Sequence, residues 1–119
     1  MIVSNEKYVK VSQISAPGYA NIVGKVLVSS ETGWDDYVMR VFQVSENGYS
    51  GRHSHDYPHI VYTLEGTGTL FLDGKDYPIE SGSFTFIPPN KEHQLSNKGK
   101  DDLKFICIVP KRGHLGFDD

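Results

Sequence analysis

The chain has 119 residues, one cysteine and a formal net charge of −3 at pH 7. This length predicts a single domain, residues 1–119, whose core is made of aliphatic and aromatic side chains, because one cysteine cannot form an internal disulfide. The mild acidity, without a basic cluster interleaved with aromatic residues, argues against nucleic-acid binding. Neither a signal peptide nor an apolar run of spanning length is present, so we expect a cytoplasmic protein without a membrane segment.

Short runs rich in Val, Ile, Tyr, Phe and Thr, bounded by Gly, Pro, Asn and Asp, predict strands along the whole chain. No amphipathic helix is predicted. Asp73 and Gly74 form a two-residue hairpin signal, because both central positions of a type I′ turn need positive φ. The pattern therefore predicts an all-β domain with strands at residues 8–13, 22–28, 37–44, 53–56, 59–64, 67–72, 75–79, 83–87, 93–96 and 103–109.

The first predicted strand, residues 8–13, alternates in its side-chain character and lies at the start of the chain. Strands at the edge of a sheet are usually paired or covered. We expect this segment to pair with the sheet of a neighbouring copy, and two-fold symmetry is the commonest closed arrangement. The sequence thus favours a homodimer.

Arg40 interrupts the strand predicted at residues 37–44, which is otherwise mostly apolar. If its side chain points inward, the buried charge needs a partner, and the carboxylate or phosphate of a substrate would serve. If it points outward, it lies on the sheet surface or at a dimer contact. The sequence leaves both alternatives open.

Four histidines have the spacing of a metal site. His53 and His55 project from one face of an extended segment, and Pro58 allows a bend that returns His59 toward them. His93 then arrives from a different strand. Neutral imidazole is a common ligand for first-row transition metals, so the cluster predicts a metal site. The alternative is a group of solvated histidines in a polar loop.

Two short motifs between about residue 38 and residue 110 resemble those of the cupin family. The first is matched by Gly48, His53, His55, His59 and Gly66, with His59 where a glutamate ligand normally stands. The second is matched by Gly82, Pro88, Asn90, His93 and Asn97, with Asn90 in place of a glycine. Asn tolerates the left-handed conformation that glycine would supply. The resemblance implies a jelly-roll barrel. It also implies a dimer, because small cupins form two-fold dimers.

The resemblance also implies one divalent metal ion per chain, held by His53, His55, His59 and His93. Mn or Fe is favoured, while Ni, Zn and Cu also suit imidazole ligands. With neutral ligands only, the ion keeps its full charge and is the stronger Lewis acid. Because histidine binds metal in its deprotonated form, we expect affinity to fall as the pH drops through about 6 to 7.

In cupins the last strand passes the metal, so the resemblance suggests that Phe105, Cys107 and Val109 wall the pocket; ordinary core packing is the alternative. No Asp or Glu is obviously placed inward, and a non-redox isomerase or lyase would need a general base. The sequence therefore favours a metal-dependent oxygenase acting on a small molecule, which would be anionic if Arg40 points inward. A non-redox enzyme and a non-catalytic ligand-binding or metal-binding module remain alternatives.

Overall fold

The fold is known from a computed structural model, which describes residues 1–114 and 116. Over these residues the chain forms nine strands and three short 3₁₀ turns, at Glu6–Tyr8, Ser30–Thr32 and Lys111–Gly113. No helix among them is long and apolar enough to span a membrane. The strands are β1 Ser12–Gln13, β2 Ala20–Val28, β3 Tyr37–Tyr49, β4 His59–Glu65, β5 Thr67–Leu72, β6 Lys75–Glu80, β7 Phe84–Ile87, β8 His93–Ser96 and β9 Leu103–Pro110.

All strand pairs are antiparallel, and the sheet has the order β6-β5-β8-β3-β9-β4-β7, with β2 pairing with both β1 and β3. β3 is the longest strand and pairs with β2, β8 and β9. Its length lets one strand connect the hairpin of β5 and β6 to the strands β9, β4 and β7. The curled sheet confirms the predicted all-β barrel.

Burial alternates along β4 and β9, which shows that one side of the curled sheet faces the interior of the barrel. In β4, His59, Val61 and Thr63 are buried, whereas Ile60 and Tyr62 are exposed. This agrees with the period of two that the sequence predicts. The core contains the inward aliphatic and aromatic side chains, including Ile22, Val38, Phe42, Val44, Val61, Leu70, Ile87, Leu95, Leu103, Phe105 and Val109.

The strand predicted at residues 8–13 is wrong over most of its length. Residues 6–8 form a 3₁₀ turn, which the Asn5 side chain caps by accepting a hydrogen bond from the Lys7 N–H at 3.0 Å. Only Ser12 and Gln13 are in a strand, and they pair with β2 of the same chain. The pairing of this segment with a neighbouring copy therefore lacks the strand on which it was based.

The strand predicted at residues 53–56 is also wrong, because only His53 takes part in a bridge, with His93. A bend at Asp56 and Tyr57, just before Pro58, ends the extended stretch. In contrast, β3 continues past residue 44 to Tyr49. The register moves from Ile22 opposite Val44 to Ala20 opposite Tyr49, so the pairing of β3 with β2 is irregular between these two positions.

Two turns have the backbone geometry that their residues predict. Asp73 and Gly74 have φ values of 50° and 86°, as the type I′ hairpin between β5 and β6 requires. Asn90, which stands where the second motif normally has a glycine, has a φ of 67°. This turn leads into β8 and so positions His93.

Candidate metal centre

Three histidines form a compact group of donor atoms. One ring nitrogen from each of His53, His55 and His93 lies within 4.8 Å of the other two. His53 and His93 are held opposite each other, because the N–H of each donates to the carbonyl of the other, at 3.2 and 3.0 Å. The His55 carbonyl accepts from the Asn90 N–H at 2.6 Å. The two sequence motifs are therefore joined by backbone hydrogen bonds around the donor group.

His59 lies beside this group at the start of β4. Its Nε2 atom is 2.7 Å from His55 Nε2, and its ring centroid is 4.9 Å from that of His93. Its Nδ1 atom is 3.2 Å from the Sγ atom of Cys107. The structure thus brings all four predicted histidines together, but only three of them form the compact donor group. A fourth ligand is not established by this geometry.

Burial keeps these imidazoles neutral near pH 7. It lowers the pKa of His55 to about 4, helped by His53 and His93, and that of His59 to about 3, helped by His93 and Arg40. Burial also lowers the pKa of His53 and of His93. Protons therefore compete with a metal ion only below the ordinary imidazole range. The expected loss of affinity across about pH 6 to 7 moves to lower pH.

The chemistry of the donors fits a divalent first-row metal ion. His93 Nδ1 lies 2.8 Å from the Lys91 carbonyl and donates to it, which leaves the Nε2 lone pair of His93 free for an ion. An orienting hydrogen bond of this kind is a regular feature of metal-binding histidines. Nitrogen donors suit Mn, Fe, Ni, Cu and Zn, so the geometry does not select one metal.

Arg40 points inward, and its side chain is only 8% exposed. Its Nη2 atom donates to Cys107 Sγ at 3.2 Å, and its guanidinium lies 5.0 Å from the centroid of the Phe42 ring. Its Nε atom has no hydrogen-bond partner among the described residues. A buried cation without a paired carboxylate is costly, so this guanidinium is suited to an anionic ligand.

The histidines and Arg40 line one cavity of about 550 Å³. Phe105 and Cys107 of β9 also line it, whereas Val109 belongs to the core and does not. No Asp or Glu is among the described lining residues. Most of the other walls are apolar or aromatic, and they include Ile14, Ala16, Ile22, Phe42, Val61, Ile87 and Leu95.

Two tyrosines add hydroxyl groups to the cavity. The Tyr57 ring stacks on His55, with centroids 4.3 Å apart, and Tyr19 lies 6.3 Å from His53. Burial raises the pKa of both tyrosines, so both are protonated near pH 7. Tyr19 was missed by the sequence analysis, because no motif marks the loop before β2. Tyr62 of β4, in contrast, is exposed on the outer face.

An all-β barrel with a histidine donor group at an inner cavity defines a class of protein, the β-barrels with a candidate metal site. Residues 40–109 match the model of the cupin domain family Cupin_2. The match covers more than half of the 119 residues, and the chain belongs to the cupin family.

Solved structures and curated proteins agree with this assignment. The chain is similar to the polyketide cyclase RemF from Streptomyces resistomycificus, with 27% identity and a TM-score of 0.88 over 93% of this chain and 80% of that one. It is 35% identical over 60 residues to an oxalate-binding protein of Thermotoga maritima, half of each chain. It is 27% identical over 90 residues to the dimethylsulfoniopropionate lyase DddW of Ruegeria pomeroyi, covering 75% of this chain and 59% of the lyase. The chain thus spans about half the length of these curated relatives.

Proposed function

We propose that this cupin is a mononuclear metal-dependent oxygenase that acts on a small organic anion. One observation carries the proposal: a histidine donor group and the buried cation of Arg40 share one cavity, whose described lining contains no carboxylate. The metal would be held by His53, His55 and His93, with His59 as a fourth ligand. Mn or Fe is the expected ion, and Ni, Zn or Cu would also suit these ligands.

When bound, Mn or Fe would supply redox and Lewis-acid chemistry at the histidine cluster. The protein's own contribution is to position the substrate. The guanidinium of Arg40 would donate charge-assisted hydrogen bonds to a carboxylate or another anionic oxygen. Phe42 and Phe105 would contact the apolar part of the molecule and exclude water from it. A substrate with one anionic end and an apolar or aromatic body matches these walls.

The hydroxyl groups of the cavity support the oxygenase over a base-catalysed reaction. Burial raises the pKa of Tyr19 and of Tyr57, so neither hydroxyl is a proton acceptor near pH 7. The Tyr57 hydroxyl donates to the Gly113 carbonyl at 3.4 Å, and the Tyr19 hydroxyl would be the one to donate to a substrate oxygen. A non-redox isomerase or lyase needs a group that accepts a proton within reach of the substrate. The described lining residues offer no carboxylate for that purpose.

A second candidate is a non-redox cyclisation or elimination. It is favoured by the 27% identity to a polyketide cyclase over 93% of this chain, and by the fact that the compact donor group contains only three histidines. His59, if it is not a ligand, would then be the proton acceptor. Its pKa of about 3 makes it a weak base, which counts against this candidate.

A third candidate is a module that binds its ligand without turnover. The relative from Thermotoga maritima is described as an oxalate-binding protein and is 35% identical over half of this chain. A cavity with a metal and one arginine is suited to a small dicarboxylate. All three candidates would bind a metal ion and an organic anion. They differ in whether the bound anion is converted to a product and in whether dioxygen is consumed.

The experiment uses purified protein loaded separately with Mn²⁺, Fe²⁺ and Zn²⁺. A panel of aromatic and enolic carboxylic acids is incubated with each form, in air and under strict anaerobiosis, with an oxygen electrode and mass spectrometry of the products. The oxygenase predicts oxygen consumption and product only in air. Product without oxygen would support the non-redox candidate, and saturable binding without product would support the module.

Arg40→Met and Arg40→Lys test the anchor for the anion. Both variants should keep the metal content of the parent. Arg40→Met should weaken binding of an acidic substrate by about tenfold or more, because a charge-assisted hydrogen bond contributes about 1.5–3 kcal/mol. Arg40→Lys should recover part of that loss. Equal affinity of all three proteins for the acid would exclude Arg40 as the anchor.

A further inference from the structure

A short turn near the end of the chain packs against the loop that follows His55. We call Lys111–Gly113, the 3₁₀ turn directly after β9, the C-terminal turn. The Lys111 N–H donates to the Asp36 carbonyl at 2.9 Å, so the base of the turn is fixed to the barrel. At the other end of the turn, Gly113 is buried and lines the cavity.

Gly113 lies directly against the ring of Tyr57. A Cβ atom added at Gly113 would be 2.6 Å from Tyr57 Cε1 and 2.8 Å from Tyr57 Cδ1, too close for a real contact. The φ of Gly113 is not in the left-handed region, so this position needs glycine for space and not for its backbone conformation. The Tyr57 hydroxyl donates to the Gly113 carbonyl at 3.4 Å. The backbone of the turn therefore limits where the tyrosine ring can lie.

The same ring stacks on His55. The two centroids are 4.3 Å apart, and the ring planes differ by only 9°. Stacking is one of the favourable arrangements of aromatic pairs, and it restricts the orientation of both rings. Tyr57 is thus in contact with both the C-terminal turn and a histidine of the compact donor group.

His55 needs this contact because it lacks the outer hydrogen bond of its neighbours. His93 Nδ1 lies 2.8 Å from a backbone carbonyl, and His59 Nδ1 lies 3.2 Å from Cys107 Sγ. Among the described residues, the His55 ring has a polar contact only with His59, at 2.7 Å. Metal-binding histidines are normally oriented by a hydrogen bond from the second ring nitrogen. The stacked ring of Tyr57 is suited to take the place of that bond.

Arg112 adds an exposed contact at the outside of the turn. Its Nη2 atom donates to the Asp56 carbonyl at 3.2 Å and lies 4.0 Å from the Asp56 carboxylate, and its guanidinium is 5.7 Å from the Tyr57 ring centroid. The two charged side chains are 60% and 80% exposed. Solvent and salt screen such a pair, so it contributes little. The turn is held on Tyr57 mainly by the packing of Gly113.

We propose that Tyr57 is a positioning residue for His55 and that the C-terminal turn is the clamp that holds Tyr57 in place. A displaced turn would leave the Tyr57 ring free to move, and the His55 imidazole with it. The C-terminal turn thus sets how tightly the ion is bound, although it contributes no ligand. This role rests on His55 serving as a metal ligand, as in the proposed function, and does not depend on the reaction.

The test adds one methyl group against the Tyr57 ring. Gly113→Ala should displace the ring, weaken Co²⁺ binding by about tenfold, and change the visible absorption spectrum of the bound Co²⁺. The matched control is Gly99→Ala, because Gly99 also lacks a left-handed φ and the atom nearest to an added Cβ is 3.5 Å away. The control should have the affinity and spectrum of the parent. Parent-like affinity and spectrum in Gly113→Ala would overturn the proposal.

A double-mutant cycle shows whether the effect passes through Tyr57. Tyr57→Leu removes the stacked ring and should itself weaken Co²⁺ binding by about tenfold, whereas Tyr57→Phe keeps the ring and should retain the parent affinity. Adding Gly113→Ala to Tyr57→Leu should then change the affinity by no more than about twofold, the usual error of additivity. An equal loss from Gly113→Ala with and without the ring would overturn the role of Tyr57.

NMR of the metal-free protein tests the clamp independently of the ion. A stacked aromatic ring shifts nearby protons upfield, so the ring protons of His55 should move downfield in Tyr57→Leu and, by a smaller amount, in Gly113→Ala. Those of His93 should stay where they are in the parent. A parent that binds no Co²⁺ would refute the metal site, but a His55 shift that responds to Gly113→Ala would still support the clamp. A His55 shift that is unchanged in both variants would overturn the clamp even if the ion binds.

Discussion

The Nδ1 atom of His59 lies 3.2 Å from the Sγ atom of Cys107, and the same sulfur accepts a hydrogen bond from Arg40 at 3.2 Å. Burial raises the pKa of the Cys107 thiol, although Arg40 partly opposes the shift, so the sulfur is a neutral thiol near pH 7. A contact with the sulfur fixes the His59 ring and turns Nε2 toward His55. Cys107 therefore connects the residue proposed to bind the anion with the residue proposed as the fourth ligand.

Replacing Cys107 should change metal binding without changing the fold. Cys107→Val keeps the volume but removes the partner of His59 Nδ1, and loss of such an outer contact typically costs about 10–100-fold in metal affinity. Cys107→Ser keeps a hydrogen-bonding atom and should stay closer to the parent. Titration with Co²⁺ against a competing chelator measures the affinities, and ¹⁵N NMR reports which nitrogen of His59 is protonated. Parent-like affinity in Cys107→Val would show that the contact does not orient the ligand.

Replacing single histidines should distinguish the three residues of the compact donor group from His59, which lies beside it. His55→Ala should release most of the metal, because His55 is one of the three donors that lie within 4.8 Å of one another. His59→Ala should retain more metal than His55→Ala but less than the parent, as expected for a fourth ligand. Elemental analysis of protein purified without chelator gives the stoichiometry. His114→Ala is the control, since His114 is outside the donor group. Full metal content in His55→Ala would remove this residue from the site.

Strands were predicted well from the sequence where apolar and polar residues alternate, because this alternation shows which side of the strand is buried. The alternation holds along all of β9 and from His59 to Leu64 in β4, because one side of each strand faces an apolar core. The turn at Asp73 and Gly74 was also predictable, because few pairs of neighbouring residues can both adopt a positive φ. The histidine motifs could be recognised from the sequence because the backbone fixes their spacing. His53 and His93 exchange backbone hydrogen bonds, and the Asn90 N–H donates to the His55 carbonyl.

Other features depend on contacts between distant parts of the chain. The orientation of Arg40 was left open because its strand has an apolar residue on either side in the sequence, and only the pairing with β9 places it beside Cys107. The alternating sequence of residues 53–56 predicts a strand, yet only His53 forms a bridge with another strand, at His93. Tyr19 reaches the cavity from a loop, for which the sequence offers no periodicity.

The metal-free protein should become less stable as the pH falls below the ordinary imidazole range. In the unfolded chain these histidines have a pKa near 6.5, whereas burial lowers the pKa of His55 to about 4 and that of His59 to about 3 in the folded protein. Between these values the unfolded state binds more protons, so the free energy of unfolding decreases with decreasing pH. Below the folded pKa values the dependence should level off.

Urea denaturation of the chelator-treated parent at a series of pH values from about 7.5 to 4 measures this slope. A His55→Gln/His59→Gln variant is the control, because glutamine does not titrate in this range. Its stability should change less between pH 6.5 and 4, the unperturbed and the folded pKa of His55. Identical slopes in the parent and the variant would show that these two histidines are not held neutral by the fold.

Two glycines with nearly the same backbone conformation should respond very differently to alanine. Gly66, between β4 and β5, has a φ of 83°, and Gly74, in the β5–β6 hairpin, has a φ of 86°. An added Cβ at Gly66 would meet the carbonyl oxygen of Asp102 and would lie 2.9 Å from the Cα atom of Leu103, whereas at Gly74 nothing lies within 4 Å. Both variants carry the cost of a left-handed alanine, about 1–2 kcal/mol.

Only Gly66→Ala adds a clash with backbone atoms, which cannot move aside as the end of a flexible side chain can. We therefore expect Gly74→Ala to lower the free energy of unfolding by about 1–2 kcal/mol, and Gly66→Ala to lower it by at least about 3 kcal/mol, in the range of the strongly destabilising substitutions. Urea denaturation at neutral pH gives both values. A similar loss in the two variants would mean that the turn after β4 does not approach the segment before β9 as closely as described, and that the glycine of the first motif is needed only for its positive φ.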